Sequence, residues 1–297
     1  MSTKSTSQLL NILNKFNIKE ASNIYVGVDI IMIAKILNCK SKDLSKLADS
    51  ILQLLLNVVG KSGTVVIPVF NLDCVPEKKF DRKNSPGQSG MFGNLLLKKY
   101  YKFRTKHPMY SFLVFGKKSE KYMRINNQNA TGNNSLWKNF NDDNFQLITL
   151  GHHYVRSLTH VHYLENLVNV NYRFIKFFQV NYTDFNRKKF TANYSFFARK
   201  LDLCEFSSIT KNCDRLFFKQ NIAKFKYQNG LICFKLNLKK ASSLILKSFN
   251  KNSKNLVSHI KIGKEHINKN ILSPEDGSTF NLEKKYLLKK KMIYKFN

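Results

Sequence analysis

Apolar residues recur at helical spacing in three early segments of the chain. Leu9, Leu13 and Phe16 fall on one face of a first predicted helix, which an upstream serine can cap. A second apolar face runs over residues 44–58 and ends at a pair of glycines, and residues 92–101 return to the same spacing. Each apolar face needs a sheet or another helix to cover it.

Short apolar runs between these helices predict β-strands at residues 24–28, 64–70, 111–115 and 145–150. The run at 64–70 is apolar on both faces, which is typical of a strand inside a parallel sheet covered by helices. We expect the last three runs to be adjacent in one central sheet. Beyond residue 171, Tyr and Phe alternate with Lys and Asn, which favours antiparallel strands. The pattern predicts a three-layer α/β/α fold with a mostly parallel central sheet and additional antiparallel strands toward the C-terminus.

The length of 297 residues allows one large domain or two modest ones. The sequence contains no internal repeat. The sequence therefore predicts a single domain over residues 1–250. Residues 251–297 form a basic tail that is a candidate for poor order.

The charge is strongly positive, with 50 Lys and Arg against 19 Asp and Glu, or +31 in total. Such a chain attracts nucleic acid, anionic membranes and phosphorylated cofactors. The excess is mostly lysine spread along the whole chain and accompanied by many Asn, Ile, Phe and Tyr, a bias typical of AT-rich coding sequence. Neither zinc-finger spacing nor an RNA-binding aromatic motif is present. We expect no specific nucleic-acid partner, with a nonenzymatic nucleic-acid-binding protein as an alternative.

Cysteine content and hydropathy indicate the cellular compartment in which the protein is expected. Five cysteines without a CxxC pair favour reduced thiols in a cytoplasm over a disulfide framework. The first twenty residues lack the apolar core of a signal peptide, and the best apolar run, residues 51–59, is about half the length of a membrane span. We expect a soluble, cytoplasmic protein without a membrane span. The oligomeric state is open, a homodimer included.

Five of the seven histidines fall in two clusters, HPMYS at 107–111 and GHHYVRSLTHVHYLE at 151–165. The second follows a predicted strand, where ligands of α/β sheets bind. On a helix, Thr159, His162 and Glu165 are three apart and share one face. Glu165 would orient His162 and raise its basicity, His162 would take a proton from a nucleophile, and Thr159 could donate to a developing oxyanion.

Two other interpretations fit the same residues. Three polar side chains at this spacing are also typical of a solvated helix face. His160, His162 and Glu165 are a candidate zinc set, but the HExxH pattern is missing and the two histidines, two positions apart, point to different faces. We therefore expect no metal.

Five segments occur in a recognisable order within residues 8–205. They are TVVIPVF (64–70), FDRKNSPGQSGMFGNLL (80–96), HPMYS (107–111), GNNSLWKNF (132–140) and LGHHYVRSLTHVHYLE (150–165). Taken together they resemble the aminoglycoside 3-N-acetyltransferase family, and the last resembles its Asn-Thr-x-x-His-x-x-Glu signature. The resemblance implies transfer of an acetyl group from acetyl-CoA to an amine of an aminoglycoside or related amino sugar, and thus a part in antibiotic resistance.

The resemblance also implies roles for individual catalytic residues. His162, Glu165 and Thr159 fall on the family's histidine, glutamate and threonine. In that assignment His162 is the general base, Glu165 orients it, and Thr159 assists the oxyanion. His107 matches the histidine near the acetyl end of the cofactor and would line the acetyl pocket.

Four further positions match the family's cofactor-binding segments. Ser111 corresponds to the serine near the acetyl end, and Ser85, Met91 and Gly93 lie in the stretch that faces the pantetheine and the acceptor. By resemblance these residues would bind acetyl-CoA, the co-substrate.

The chain also departs from the family pattern. GVDIIM, residues 27–32, stands where the family has a His-Ser-Ser-Leu-like turn that helps to hold CoA, which brings Asp29 toward a polyanion. Acidic residues that would suit a cationic antibiotic are scarce. Two other functions therefore stay open, a biosynthetic N-acyltransferase for a nucleotide-linked amino sugar of a surface polysaccharide, and a degenerate, inactive member.

Overall fold

The computed structural model of the protein describes residues 3–200, 206–250 and 256–260. The helices are α1 (Thr3–Lys15), α2 (Ile30–Ile36), α3 (Leu44–Val59), α4 (Met91–Tyr100), α5 (Ser119–Arg124), α6 (Leu136–Asp142), α7 (Val161–Leu167), α8 (Lys211–Lys219) and α9 (Leu238–Asn250). The strands are β1 (Asn23–Val28), β2 (Thr64–Pro68), β3 (Lys79–Asp81), β4 (Phe112–Gly116), β5 (Gln146–Leu150), β6 (Arg173–Thr183), β7 (Lys189–Arg199), β8 (Phe206–Ile209), β9 (Ala223–Gln228), β10 (Leu231–Asn237) and β11 (Val257–Ile260).

Six strands form the central sheet in the order β4-β2-β1-β5-β10-β9. The inner strands β2, β1 and β5 are parallel, with Tyr25 opposite Val66 on one side and Leu147 on the other. The outer strands β4, β10 and β9 are antiparallel to their neighbours. This arrangement confirms the predicted α/β class with a parallel centre and antiparallel strands toward the C-terminus.

The predicted adjacency of the three buried runs is wrong in one respect. β2 and β4 are neighbours, but β1 lies between β2 and β5 and pairs with both. β1 can take this position because its four middle residues are buried, so the strand tolerates helices on both faces. Strand order depends on these long-range pairings, which apolar patterning within each run does not encode.

Helices cover both faces of the central sheet and give the three-layer architecture. Alternate side chains of β1 point to opposite faces. Ile24 and Val26 pack into one core with residues of α1, α2, α3 and α4. Tyr25 packs into the other core with residues of α5, α6, α7, α8 and α9. The site described below lies on the second side.

A second sheet, β3-β6-β7, is built around the long β6–β7 hairpin. Its register begins with Arg173 opposite Arg199, which brings two cations to the end of the hairpin nearest α7. β8 and β11 form a separate antiparallel pair. β11 falls inside the predicted basic tail, while residues 251–255 and 261–297 lie outside the described part. Within the described ranges, no helix is long and apolar enough to cross a membrane.

Candidate active site

The segment between β5 and α7 places the predicted catalytic residues. Residues 154–157 form a 3₁₀ turn, and α7 begins at Val161. Thr159 therefore precedes the helix, and the prediction that it shares a helical face with His162 is wrong. Gly151 has φ +92° and is followed by the 3₁₀ turn at residues 154–157, so the α-helix starts only after both. Thr159 instead hydrogen-bonds Tyr25 on β1, and its carbonyl accepts from the His162 N–H at 3.0 Å.

His162 and Glu165 lie within one turn of α7 and are hydrogen-bonded. His162 Nδ1 is 2.8 Å from Glu165 Oε2. The Glu165 side chain is fully buried, and its other oxygen, Oε1, accepts from the Tyr172 hydroxyl at 2.9 Å. Arg173 Nε lies 2.8 Å from Oε2. The carboxylate thus has three partners that replace water, as a buried charge requires.

These contacts fix the charge states of the pair. Burial acts to raise the pKa of Glu165, but its bonds to His162 and Tyr172 and the charge of Arg173 outweigh burial and lower the pKa to about 2. Burial lowers the pKa of His162, and the positive charges of Arg173 and Arg199 lower it further, against the opposing effect of Glu165. At neutral pH the site therefore holds a neutral imidazole beside an ionised carboxylate.

The second ring nitrogen of His162 is available to a substrate. About a quarter of the side chain, 23%, is exposed, and Nε2 has no hydrogen-bond partner among the described residues. With Nδ1 donating to Glu165, Nε2 carries the lone pair that accepts a proton.

His107 does not join this pair. It is 3% exposed and lies in the small core beneath the β6–β7 hairpin, where its Nδ1 accepts from the Tyr110 N–H at 3.2 Å and its ring contacts Tyr194 edge-on. Burial lowers its pKa to about 3, partly offset by the backbone of Gln128. A role for His107 in lining an acetyl pocket stays a prediction.

Ser111 and Ser85 are brought together by a buried arginine that sequence reasoning missed. Arg104 Nε donates to Ser111 Oγ at 2.9 Å, and its Nη1 and Nη2 donate to the carbonyls of Ser85 and Val69. Ser111 is fully buried and donates to the Val69 carbonyl at 2.8 Å, while the Ser85 hydroxyl accepts from the backbone of Asp81. Both serines therefore hold the loop after β2 in place.

Met91 and Gly93 lie in the first turn of α4, which follows that loop. A Cβ on Gly93 would come within 2.4 Å of the Pro68 carbonyl oxygen, so glycine lets α4 pack closely on the end of β2. Met91 is 48% exposed. Gly90, the residue before the helix, has φ +125° and open space around it, and no side chain caps the helix start. The start of α4 is therefore exposed at Gly90 and Met91, while Phe92 and Gly93 are buried.

The structure does not bring His160 together with His162 and Glu165. His160 is 1% exposed, its Nε2 is 2.9 Å from Ser242 Oγ, and its ring packs against Trp137. It is a core residue whose partners differ from those of His162. In the described ranges, no group of three or more His, Cys, Asp or Glu side chains is arranged to hold a metal ion.

Buried histidines make the protein acid-sensitive. His107 and His160 both have a pKa of about 3, because burial disfavours their charged forms. An unfolded histidine titrates near 6.5, so their contribution is complete above that pH and declines as pH falls toward the folded value. We expect each to cost about 1.4 kcal/mol of unfolding free energy per pH unit below about 6.

Urea unfolding between pH 7 and about pH 5 measures this slope. His160→Gln should reduce the slope of unfolding free energy against pH by about 1.4 kcal/mol per pH unit, the contribution of one proton. An unfolding free energy that stays flat over this range would contradict the assigned burial of both imidazoles.

The fold and the site together define a class, an α/β protein with a carboxylate-oriented histidine in the helix that follows the central strand β5. The structure is similar to AAC-IIIb in its binary complex with CoASH, with a TM-score of 0.64 and 16% identity over 83% of this chain and 96% of that one. It is also similar to YokD from Bacillus subtilis, with a TM-score of 0.63 and 16% identity over 82% of this chain and 98% of that one. A third similar structure is the aminoglycoside acetyltransferase AAC(3)-IIb, with a TM-score of 0.64 and 13% identity over 84% of this chain and 97% of that one.

The family model for aminoglycoside 3-N-acetyltransferase matches residues 40–227, more than half of the chain. The chain belongs to the aminoglycoside 3-N-acetyltransferase family and is therefore an acyltransferase by class. This confirms the resemblance drawn from the five segments. No curated protein matches the sequence significantly.

Proposed function

We propose that the protein transfers the acetyl group of acetyl-CoA to an amine of an aminoglycoside or related amino sugar, with His162 as general base and Glu165 as its orienting partner. The observation that carries the proposal is the 2.8 Å bond between His162 Nδ1 and Glu165 Oε2, which leaves the lone pair of the neutral ring on Nε2 of a side chain that is 23% exposed. The family provides independent support.

His162 supplies proton transfer. A sugar ammonium is not nucleophilic, so it must first lose one proton to water. The neutral amine then attacks the thioester carbonyl carbon while Nε2 accepts its second proton, and the C–S bond to CoA breaks. The imidazolium that forms is next to the ionised, buried Glu165, whose negative charge stabilises it in a region of low dielectric. His162 can then return the proton to the leaving group, which resets the neutral imidazole.

Thr159 is our candidate for stabilising the oxyanion. Its hydroxyl is hydrogen-bonded to Tyr25. If Tyr25 donates to the threonine oxygen, the threonine hydrogen is left to donate to a developing negative charge. Thr159 is half-buried, two residues before α7, and its backbone carbonyl is fixed by the His162 N–H, so its position relative to the base is constrained.

Acetyl-CoA supplies the activated thioester, and the related AAC-IIIb structure contains CoASH. The residues present suit such a molecule at the start of α4. The uncapped N–H groups of a helix's first turn bind anions and carbonyl oxygens. Met91 would contact the ligand there, while Ser85, Ser111 and Gly93 hold the loop and helix in position through Arg104 and Pro68.

Asp29 is the feature least suited to a polyphosphate. Its Oδ1 accepts from the Met32 N–H at 2.9 Å and caps α2. We expect Asp29→Ser to strengthen CoA binding by up to about fivefold, since serine keeps the cap while one half-buried negative charge is removed. The measurement is isothermal titration with CoA at low and high salt.

We expect CoA binding to weaken as the salt concentration rises, because salt screens the attraction between the CoA phosphates and lysine side chains. Asp43→Ser on α3's capping residue, whose side chain makes no cap bond, is the matched control and should leave affinity unchanged. Unchanged binding by Asp29→Ser would show that the turn after β1 does not face the phosphates.

A second acceptor class is favoured by the charges around the base. Arg173 and Arg199 both place positive charge near His162, and the chain as a whole is +31. A cationic aminoglycoside is repelled by this surface, whereas an amino sugar linked to a nucleotide carries phosphate charges that it attracts. A biosynthetic N-acetyltransferase on such a sugar is the second candidate function.

Thiol release from acetyl-CoA tests both candidates. The assay is run with wild-type protein against aminoglycosides and nucleotide-linked amino sugars, with the matching deaminated or N-acetylated compounds as controls. We expect release only with free amines. CoA binding without turnover on any amine would favour a degenerate member that binds the cofactor but lacks an acceptor.

We also propose that the reaction occurs in the cytoplasm, where acetyl-CoA is made and used. The described cysteines Cys39, Cys74, Cys213 and Cys233 are free thiols, which is consistent with a reducing compartment. Protein fractionation against compartment markers would test this location.

A further inference from the structure

Arg173 makes an unusual set of contacts at the base. Its Nη2 is 3.1 Å from His162 Nδ1, the same nitrogen that lies 2.8 Å from Glu165 Oε2. Nη2 also donates to Ser207 Oγ at 2.6 Å, and Nη1 donates to the Phe197 carbonyl at 3.0 Å. The side chain is 6% exposed. A buried guanidinium therefore touches both members of the pair.

The two contacts at Nδ1 require different protonation. A guanidinium only donates, and an ionised carboxylate only accepts. If Nδ1 carries the hydrogen, it donates to Glu165, and Nε2 has the lone pair that a base needs. If Nδ1 lacks it, Nδ1 accepts from Arg173, Nε2 carries the hydrogen, and the ring cannot take a proton from the substrate. The position of Arg173 thus decides between an active and an inactive tautomer.

Ser207 and Phe197 bear on that choice. Each offers an oxygen that engages the guanidinium away from the ring. Glu165 is fully buried beside a neutral His162, so its negative charge needs a permanent countercharge, and Arg173 Nε at 2.8 Å supplies it. The shorter, charge-assisted contact from Nδ1 to Glu165 is the stronger of the two.

We propose that Arg173 is a positioning residue that keeps His162 as the neutral, Nδ1-protonated imidazole: it balances the buried charge of Glu165, while Ser207 and the Phe197 carbonyl fix its guanidinium beside the carboxylate. The proposal deepens the proposed function, since it rests on His162 as the base. The family comparison does not assign this residue.

Among the described residues, few titratable or charged groups face His162. Glu165 lies on its own helix, Arg173 and the neighbouring Tyr172 come from the start of β6, and Arg199 comes from the end of β7. Among them Arg173 contacts the ring directly and Arg199 acts at longer range. Removing the charge of Arg173 should therefore raise the pKa of His162, because Glu165 then has only the imidazolium as a countercharge.

The test is NMR on the full chain labelled with ¹⁵N-histidine, whose ring nitrogens report tautomer and charge directly. His162→Gln identifies the His162 signals by their loss. In wild type we expect the neutral, Nδ1-protonated form at pH 7. In Arg173→Met we expect the titration midpoint of His162 to rise by about one pH unit or more. The acid limb of the kcat/KM profile should move with it.

Two variants distinguish the effect of the charge and position of the Arg173 guanidinium from the effect of its packing. Arg173→Lys keeps the charge and should return the titration of His162 to near that of wild type. Ser207→Ala removes one of the acceptors of Nη2, so the guanidinium can turn further toward Nδ1, which should shift the signals toward the Nε2-protonated tautomer and lower kcat with little change in KM. This variant keeps the buried ion pair, so it also serves if Arg173→Met fails to fold.

The proposal is overturned if Arg173→Met is folded and His162 titrates as in wild type, or if Ser207→Ala leaves the tautomer unchanged. Neither measurement depends on turnover. If His162→Gln instead retains full activity, the proposed base is wrong, and the influence of Arg173 on the imidazole is still decided by the NMR titration.

Discussion

His162→Gln should lower kcat by about 10²–10⁴-fold, the usual loss when a general base is removed. The affinity for CoA should stay nearly unchanged, since the predicted cofactor residues lie on α4, in the loop after β2 and just before β4. Glutamine is similar in length and the side chain is partly exposed, so the fold should be preserved. Steady-state thiol release and CoA titration on the same preparation measure both quantities.

The matched control is His153→Gln, in the same segment. His153 caps the 3₁₀ turn by accepting from the Val155 N–H. It lies 3.6 Å from Asp214, away from the pair of His162 and Glu165. We expect its kcat to stay within a small factor of wild type. Equal losses in both variants would contradict the assignment of the base. His160 is unsuitable as a control, because its burial against Trp137 makes any substitution a change to the core.

Glu165→Ala should cost about 3–5 kcal/mol of unfolding free energy, because it leaves the guanidinium of Arg173 buried without its countercharge. The Tyr172 hydroxyl also loses its acceptor. Activity should fall as well, since nothing then orients His162 Nδ1. Urea unfolding followed by circular dichroism gives the free energy, and thiol release gives the rate.

Glu165→Gln is the companion variant, because it preserves volume and one hydrogen-bond acceptor while removing the charge. We expect a smaller stability loss than for alanine but a comparable fall in kcat. If Glu165→Ala unfolds at the wild-type urea concentration, the carboxylate is not paired as the structure has it.

The His162–Glu165 pair was predictable from the sequence, and the position of Thr159 was not. Residues three apart meet on a helix wherever the helix begins, provided both lie inside it. Thr159 lies at the boundary, where the 3₁₀ turn at 154–157 and the left-handed Gly151 decide the starting residue. Helix boundaries of this kind depend on how the loop packs, here against Tyr25 of β1.

Arg173 and Arg104 were missed because their roles depend on tertiary contacts. Arg173 is at the first position of β6 and reaches a helix and a strand distant in sequence. Arg104 comes three residues before His107 and links three segments around the loop after β2. In a chain with 50 basic residues, two buried arginines have no compositional signal. A single basic residue at the start of an aromatic strand was the one available hint for Arg173.

The place of β1 in the sheet also could not be predicted from the sequence. Each apolar run was identified, and the α/β class followed from their spacing. That β1 separates β2 from β5 rests on two sets of parallel pairings, from Asn23 to Tyr25 with β2 and from Ile24 to Val28 with β5. Patterning within a strand shows which faces are buried but does not show the identity of the neighbouring strands.

The most direct test of acetyl transfer by this dyad is mass spectrometry of the acceptor after incubation with acetyl-CoA and the protein. We predict that wild type adds one acetyl group to an amine of at least one amino sugar, and that His162→Gln, folded and able to bind CoA, adds none in the same time. Acetylation by the variant at the wild-type rate, or release of CoA by wild type without acetylated acceptor, would contradict the assignment of His162 as the base of an acetyl transfer.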